Sequence, residues 1–303
     1  MNVIVVGSGA REHALCRILH KSYLCEKVFC FPGNYGISQI AECKDISTKE
    51  DIVEECIKIN PDLVVVGPEN YLSENLAGEL RNKGLNVFGP DSEGAKLESS
   101  KEFMKEFCQS HNIPTAKSQT FVDFDEAKNY LESFNGPIVV KYDGLAAGKG
   151  VFVCTNTNEA IEACERIFIK KEFNQENNKV VIEEFIEGKE LSFFTITDGN
   201  EYLNIGSAQD YKRVGNNDTG PNTGGMGTIS PAPILDNNLD MIIQDQIVKK
   251  TIEGLKHDNI AFQGVIFFGI IVNEHNQPYL LEYNTRFGAV SYTHPTLPTR
   301  AQV

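Results

Sequence analysis

A chain of 303 residues with 41% hydrophobic side chains is long enough for two or three domains and a sizeable core. Its formal net charge of −14 disfavours general binding to a nucleic-acid backbone, which would repel it. The eight cysteines form no CxxC, no apolar run is long enough for a bilayer, and the opening MNVIVVG has no basic n-region, so the reading is a cytoplasmic protein with reduced, mostly buried thiols and no membrane partner.

The first hundred residues alternate between β-branched runs and helical periodicity. NVIVVG, KVFCFPG, DLVVVGPE and NVFGPD each end in Gly or Pro, with helical patterns such as EHALCRILHKS and KEDIVEECIKI between them. That alternation predicts a doubly wound parallel sheet, with ligand loops at the carboxyl ends of its strands: Gly7–Arg11, Pro32–Gly36 and Gly67–Asn70. A boundary is expected near Pro90–Glu98, dividing a domain of residues 1–100 from one of 101–288. Beyond it, SSKEFMKEFCQSHNIPTAKS reads as a helix entered through Ser99 or Ser100. Strands PIVVKYD, GVFVCT and KVVIEEFI follow with helices DEAKNYLESF and NEAIEACERIF among them, then a hairpin turning at Asp198-Gly199. A long polar loop is expected over Ala208–Pro233, then the amphipathic helix LDMIIQDQIVKKTIEGLKHD and a second hairpin turning at 273–277. This second part is α+β, with antiparallel strands. The chain shows no internal repeat and no low-complexity tract.

Four segments carry candidate chemistry, each with a plainer alternative. GSGAREHAL, with Gly7, Gly9 and Arg11, is a tight turn that aims helix N–H groups at an anion, or simply a tight turn. It is not a complete dinucleotide fingerprint, because Glu12 replaces the third glycine. VVKYDGLAAGKG ends a buried strand on Lys141 and continues through Gly144, Gly148, Lys149 and Gly150. It reads as a lid over a triphosphate, or as a mobile hairpin with solvated lysines; it is not a Walker A loop. VVIEEFIEGKE offers the backbone of Glu183, Glu184, Phe185 and Ile186 as an adenine hinge and Glu190 as a ribose acceptor, or else a solvated edge. LLEYNTRFG places Glu282 and Asn284 at i, i+2, on one face of a strand. A carboxylate beside an amide oxygen suits a hard cation, with Arg286 continuing the face toward an anionic substrate; the alternative is an exposed polar strand face. In the long loop, Gly220, Gly224, Gly225 and Gly227 free the backbone, while Asp210, Lys212, Arg213 and Asp218 add charge of both signs. His13, His20, His111, His257, His275 and His294 share no ligand spacing. No zinc site or nucleophile triad is visible along the sequence, which leaves spatial pairing open.

Together and in this order, GSGAREHAL, PGNYG, VGPE, FGPD with ESSKEFMKEF, KYDGLAAGKG, EEFIEGKE, AQDYKR, DTGPNTGGMG, SPAP and LEYNTRFG resemble the phosphoribosylamine–glycine ligase family, the glycinamide ribonucleotide synthetases, over residues 1–288. The resemblance implies a pre-ATP-grasp domain followed by an ATP-grasp fold with an inserted lid subdomain at about 115–190. It implies ligation of glycine to 5-phosphoribosylamine through glycyl phosphate, with ATP consumed, Mg²⁺ or Mn²⁺ required, and no obligate protein partner. By the same resemblance, Lys101 and Lys141 contact ATP phosphates and Glu282 and Asn284 hold the metal. Arg286, Asp210, Lys212 and the backbone of Asn222, Thr223, Gly224 and Gly225 bind glycine and phosphoribosylamine. Tyr211 stands where the family usually has histidine, and GPENYL lacks the family's second proline.

After Gly288 the family pattern stops, and AVSYTHPTLPTRAQV resembles a translated adapter read-through, so residues 289–303 are expected to be a non-native tail on a truncated product that is inactive or incompletely folded. The competing readings are another ATP-grasp carboxylate–amine ligase and a non-catalytic nucleotide-binding fragment; a dinucleotide-dependent oxidoreductase is more distant.

Overall fold

The computed structural model describes residues 1–146, 149–173, 178–215 and 219–288. The expected non-native tail at 289–303 and Gly148 lie outside them. Lys212 and 222–225 fall within strands, but their side chains are outside the described set.

Five strands open the chain: β1 (Asn2–Gly7), β2 (Lys27–Pro32), β3 (Glu42–Cys43), β4 (Leu63–Val66) and β5 (Val87–Phe88). They are all parallel, in the order β3-β2-β1-β4-β5. Helices α1 (Ala10–Lys21), α2 (Lys49–Ile59), α3 (Glu69–Ser73) and α4 (Leu76–Asn82) cross between them. The period of two along β1 explains why the run NVIVV is apolar throughout. Ile4 and Val6 join the core of Phe31, Ile52, Leu72 and Leu80, whereas Val3 and Val5 face Cys16, Val28 and Ile37 on the other side. The order reverses between β1 and β4. Parallel sheets of this kind place ligands there, and the helices that follow those two strands carry Arg11 and Glu69 in their first turns.

The expected domain boundary is itself helical: α5 (Ser92–Ser99) is followed at once by α6 (Lys101–Ser110). Ser100 caps α6 by accepting from the Phe103 N–H at 3.1 Å. The chain then builds a four-stranded antiparallel sheet of β6 (Ser118–Phe121), β7 (Ile138–Tyr142), β8 (Val151–Cys154) and β9 (Val180–Glu184), ordered β6-β9-β7-β8. Its core is sealed by α7 (Phe124–Glu132) and α8 (Thr157–Phe168).

The second five-stranded sheet is antiparallel, ordered β12-β11-β10-β13-β14, from β10 (Lys189–Thr197), β11 (Tyr202–Gly215), β12 (Thr219–Ile229), β13 (Gly264–Val272) and β14 (Pro278–Asn284). Here the sequence reading needs correction. Most of the segment expected as a long loop over 208–233 is a β-hairpin, with Gln209 opposite Ile229 and Asp210 opposite Thr228. Because β12 is the edge strand, its glycines need no side chain to fill a core, and ladder hydrogen bonds replace the expected turns. Helices α9 (Asn237–Ile243) and α10 (Lys249–His257), joined by a π turn at Gln244–Val248, cover one face of this sheet together with α6. Phe107, Phe193, Ile247, Ile266, Phe268 and Tyr283 fill that core.

All eight cysteines are free thiols, six of them buried. Among the described residues no helix is long and apolar enough to cross a membrane.

Candidate active site

The uncovered face of the second sheet forms the floor of a cleft of about 340 Å³. Glu282, Asn284 and Arg286 come from β14 and its continuation, Lys101 and Glu98 from the α5–α6 junction, and Gly144, Leu145 and Gly150 from the β7–β8 hairpin. Arg11 and Glu69 of the first domain close one end, and Asp210 lines the cavity from β11. These six separate stretches of sequence therefore converge on one cavity.

A register shift aims the two β14 side chains. Gly269 pairs with Glu282, but its neighbour Ile270 pairs with Leu280, leaving Leu281 as an extra residue. Simple alternation would put Glu282 on the same face as Leu280, which is fully buried in the core. The bulge rephases the strand. Leu280 and Tyr283 stay in the core while Glu282 and Asn284 line the cleft. The Leu281 carbonyl exposed by this irregularity accepts from Lys141 Nζ at 3.0 Å.

Lys141 is 6% exposed and lies behind the cleft wall rather than in the cavity lining. Its ammonium sits 2.9 Å from Glu183 Oε1, and Lys105 Nζ lies 3.2 Å from Glu183 Oε2. Lys105 also donates to Thr115 Oγ1 at 2.8 Å and to the Ala116 carbonyl at 3.1 Å. Burial pushes the Lys105 ammonium below the ordinary lysine range, and Glu183 opposes that shift. The side chain of Glu183 is thus an internal counter-ion. Its backbone, like that of Glu184, pairs within the sheet: Glu183 lies opposite Ser118 and Val139, and Glu184 opposite Ile138.

Phe185 and Ile186 follow in the connection to β10, and Glu190 is exposed on β10; none of the three is among the cleft-lining residues. Lys149 is also exposed and outside the lining, its N–H bonded to the Ala146 carbonyl at 2.9 Å. Of the three lysines assigned to phosphate, only Lys101 reaches the cavity. Its Nζ donates to the Glu98 carbonyl at 2.9 Å and to the Gly144 carbonyl at 3.4 Å. Burial lowers its pKa, while Glu282 and Glu98 pull it back up.

Asp143, unnoticed in the sequence, fixes Lys101. Its carboxylate accepts from the N–H groups of Lys101 (2.5 Å) and Glu102 (3.2 Å) and from Ser100 Oγ (3.1 Å). The residue at the entrance to the β7–β8 hairpin therefore caps the helix that carries Lys101, where a negative charge also meets the positive end of the helix dipole. Asp143→Ala is expected to cost about 1–2 kcal/mol in urea unfolding. A loss below a few tenths would mean that Ser100 caps α6 alone.

At the first-domain end, Arg286 ion-pairs with Glu69 (3.0 Å) and Glu98 (2.8 Å), and Arg11 reaches Glu69 at 3.3 Å. Glu98 Oε2 also accepts from the Thr285 N–H at 2.7 Å. Burial by itself would raise the Glu69 carboxyl, but Arg286 and Arg11 outweigh it and leave the group below the usual range. Glu98 is more deeply buried, and burial wins there, raising its pKa. The glycine turn behaves differently from the expected phosphate cradle: the Gly9 N–H is already bonded to Glu12 Oε2 at 2.6 Å. Glu12 is buried beneath the turn, so the turn presents Arg11 to the cleft and not Gly7 or Gly9.

Sequence reasoning missed Glu69, Glu98, Lys105 and Asp143 as site residues. Glu69 had a visible signal, since it follows Gly-Pro at the carboxyl end of β4, inside an expected ligand loop. The others are set by contacts distant in sequence.

Comparison with known proteins follows the same division of the chain. The profile described as the N domain of phosphoribosylglycinamide synthetase matches residues 1–98, and that of its ATP-grasp (A) domain matches residues 99–291. A chloroplastic phosphoribosylamine–glycine ligase of Arabidopsis thaliana is 47% identical over 284 residues, covering 92% of this chain and 53% of the relative. A bifunctional purine biosynthetic protein of Pichia angusta is 42% identical over 294 residues, 95% of this chain and 37% of the relative. The crystal structure of phosphoribosylamine–glycine ligase from Thermotoga maritima superposes with a TM-score of 0.82 at 32% identity, over 96% of this chain and 70% of that one. The chain thus spans about half the length, or less, of the two curated relatives.

Proposed function

The chain belongs to the phosphoribosylglycinamide synthetase family, and from that premise we propose that it carries the nucleotide and substrate site of an ATP-dependent ligase joining glycine to 5-phosphoribosylamine. The glycine carboxylate attacks the γ-phosphate of ATP, giving glycyl phosphate and releasing ADP. The amine of phosphoribosylamine then attacks the acyl carbon, inorganic phosphate leaves, and glycinamide ribonucleotide forms. No side-chain nucleophile is required. The work falls on positioning and on neutralising charge around the transferred group.

The observation that carries this reading is the convergence of Arg11, Lys101, Gly144, Gly150, Asp210, Glu282, Asn284 and Arg286 on a single cavity. Lys101 would exchange its two carbonyl acceptors for phosphate oxygens. The β7–β8 hairpin, with Lys141 anchored at its base and Lys149 on it, would close over the triphosphate and keep water from the acyl phosphate. Phe185 and Ile186 lie where the backbone leaves β9 and would meet the adenine, with Glu190 toward the ribose. Arg286, Arg11, Asp210, Lys212 and the backbone at 222–225 would hold glycine and phosphoribosylamine. Glu282 and Asn284, a carboxylate and an amide oxygen on one wall beside Lys101, fit a hard cation such as Mg²⁺ or Mn²⁺. A bound ion would screen charge on the phosphoryl oxygens.

The test is ADP release measured with glycine and phosphoribosylamine supplied together and singly. Release that requires glycine, with glycinamide ribonucleotide as product, is the expected result. Release supported by a different carboxylate would assign another ligase of the same fold, and saturable ATP binding with no product would leave a nucleotide-binding unit.

A further inference from the structure

The fold brings together three side chains that share no ligand spacing in the sequence and lie outside the cleft. His111 caps the C-terminus of α6, His257 is the last residue of α10, and Asp258 caps α10. His111 Nε2 and His257 Nδ1 each lie 2.8 Å from a different oxygen of the Asp258 carboxylate, and the ligand atoms of all three residues lie within 4.8 Å of one another.

His111 is held rigidly. Its ring packs on Phe107 with centroids 4.6 Å apart, and it lies against Gly254 of α10, where an added Cβ would come within 2.8 Å of the imidazole. Its side chain is only 13% exposed. The His257 side chain is 80% exposed, so its ring can turn to bring a nitrogen to the metal–nitrogen distance of about 2.0–2.1 Å. Two helix C-termini meet at this point, and their carbonyl ends favour a cation there.

We propose that His111, His257 and Asp258 form a binding site for one first-row divalent cation of borderline softness, such as Zn²⁺, with a fourth position open to water. Two imidazoles and one carboxylate suit that class and disfavour Mg²⁺, which takes oxygen ligands. The ion would clip the end of α6 to the end of α10. The cleft-facing residue Lys101 is at the other end of α6, about 15 Å away by helix rise, so the site is separate from the nucleotide cleft. Both imidazoles must be deprotonated to bind, so acidification releases the ion.

The experiment is calorimetric titration of the chelator-stripped chain with Zn²⁺, alongside His257→Ala and Asp258→Asn. One Zn²⁺ per chain is expected, with affinity falling by at least about 10-fold in each variant. His257→Ala removes an exposed side chain and leaves the core untouched. Since the chain carries eight free thiols, Co²⁺ substitution supplies the second readout. Ligand-field bands without thiolate charge-transfer support the site. Binding unchanged in His257→Ala, a thiolate signature, or no saturable Zn²⁺ binding overturns it. None of these readouts depends on ligase activity.

Discussion

Glu183→Ala is expected to destabilise the chain by about 3–5 kcal/mol, because it strands two buried ammonium groups. Glu183 is 2% exposed and stands between Lys105 and Lys141, each 6% exposed. The contact of Oε1 with Lys141 is an ion pair whose angles fall short of a hydrogen bond, so charge and not donor geometry holds it. Removing the carboxylate leaves Lys105 with one hydroxyl and one carbonyl, and Lys141 with the Leu281 carbonyl. Glu183→Gln keeps one acceptor and loses the charge, so its cost should be smaller, about 1.5–3 kcal/mol.

The pH dependence follows from Lys105. Its folded pKa is already below the ordinary lysine range because of burial, and losing Glu183 lowers it further. Between that folded value and about 10.4 the unfolded chain binds more protons. Stability of the alanine variant must therefore rise with pH across this window and level off at its lowest below the folded value, where both states carry the proton. Urea unfolding at a series of pH values measures both effects. A variant within about 1 kcal/mol of the parent would mean that water reaches both lysines.

The same cluster shows where sequence reasoning stops. That Lys141 ends a buried strand was legible from VVKYD, and so was the cost of an unpaired ammonium there. Its partner was not, because Glu183 is distant in sequence and reaches Lys141 only through the pairing of β7 with β9. The strands of the parallel sheet were legible because a strand buried on both faces must be apolar throughout. Segment 208–233 was misjudged because glycine signals a turn in isolation, whereas an edge strand tolerates it. For Glu282 and Asn284, the i, i+2 spacing correctly gave a shared face. Which face depends on the extra residue at Leu281, and nothing in LLEYN marks a bulge.

The bulge is also why Glu282 carries the largest expected catalytic effect. Glu282→Gln preserves side-chain length and an oxygen while deleting the charge, and should reduce metal-dependent turnover of the proposed reaction by at least about 10²–10³-fold. The change reaches beyond metal binding. Burial lowers the Lys101 pKa, and among the groups that restore it Glu282 is the strongest. A phosphate-binding lysine must be protonated, so ATP affinity should fall as pH rises through the Lys101 value. Without Glu282 that fall should begin at lower pH, whereas loss of a metal ligand alone would leave the midpoint unmoved. Titrating ATP binding against pH in the absence of metal therefore separates the two roles. A Glu282→Gln enzyme within about 3-fold of the parent rate would remove the carboxylate from the metal site. An unshifted midpoint would mean that water screens Glu282 from Lys101 across the cleft.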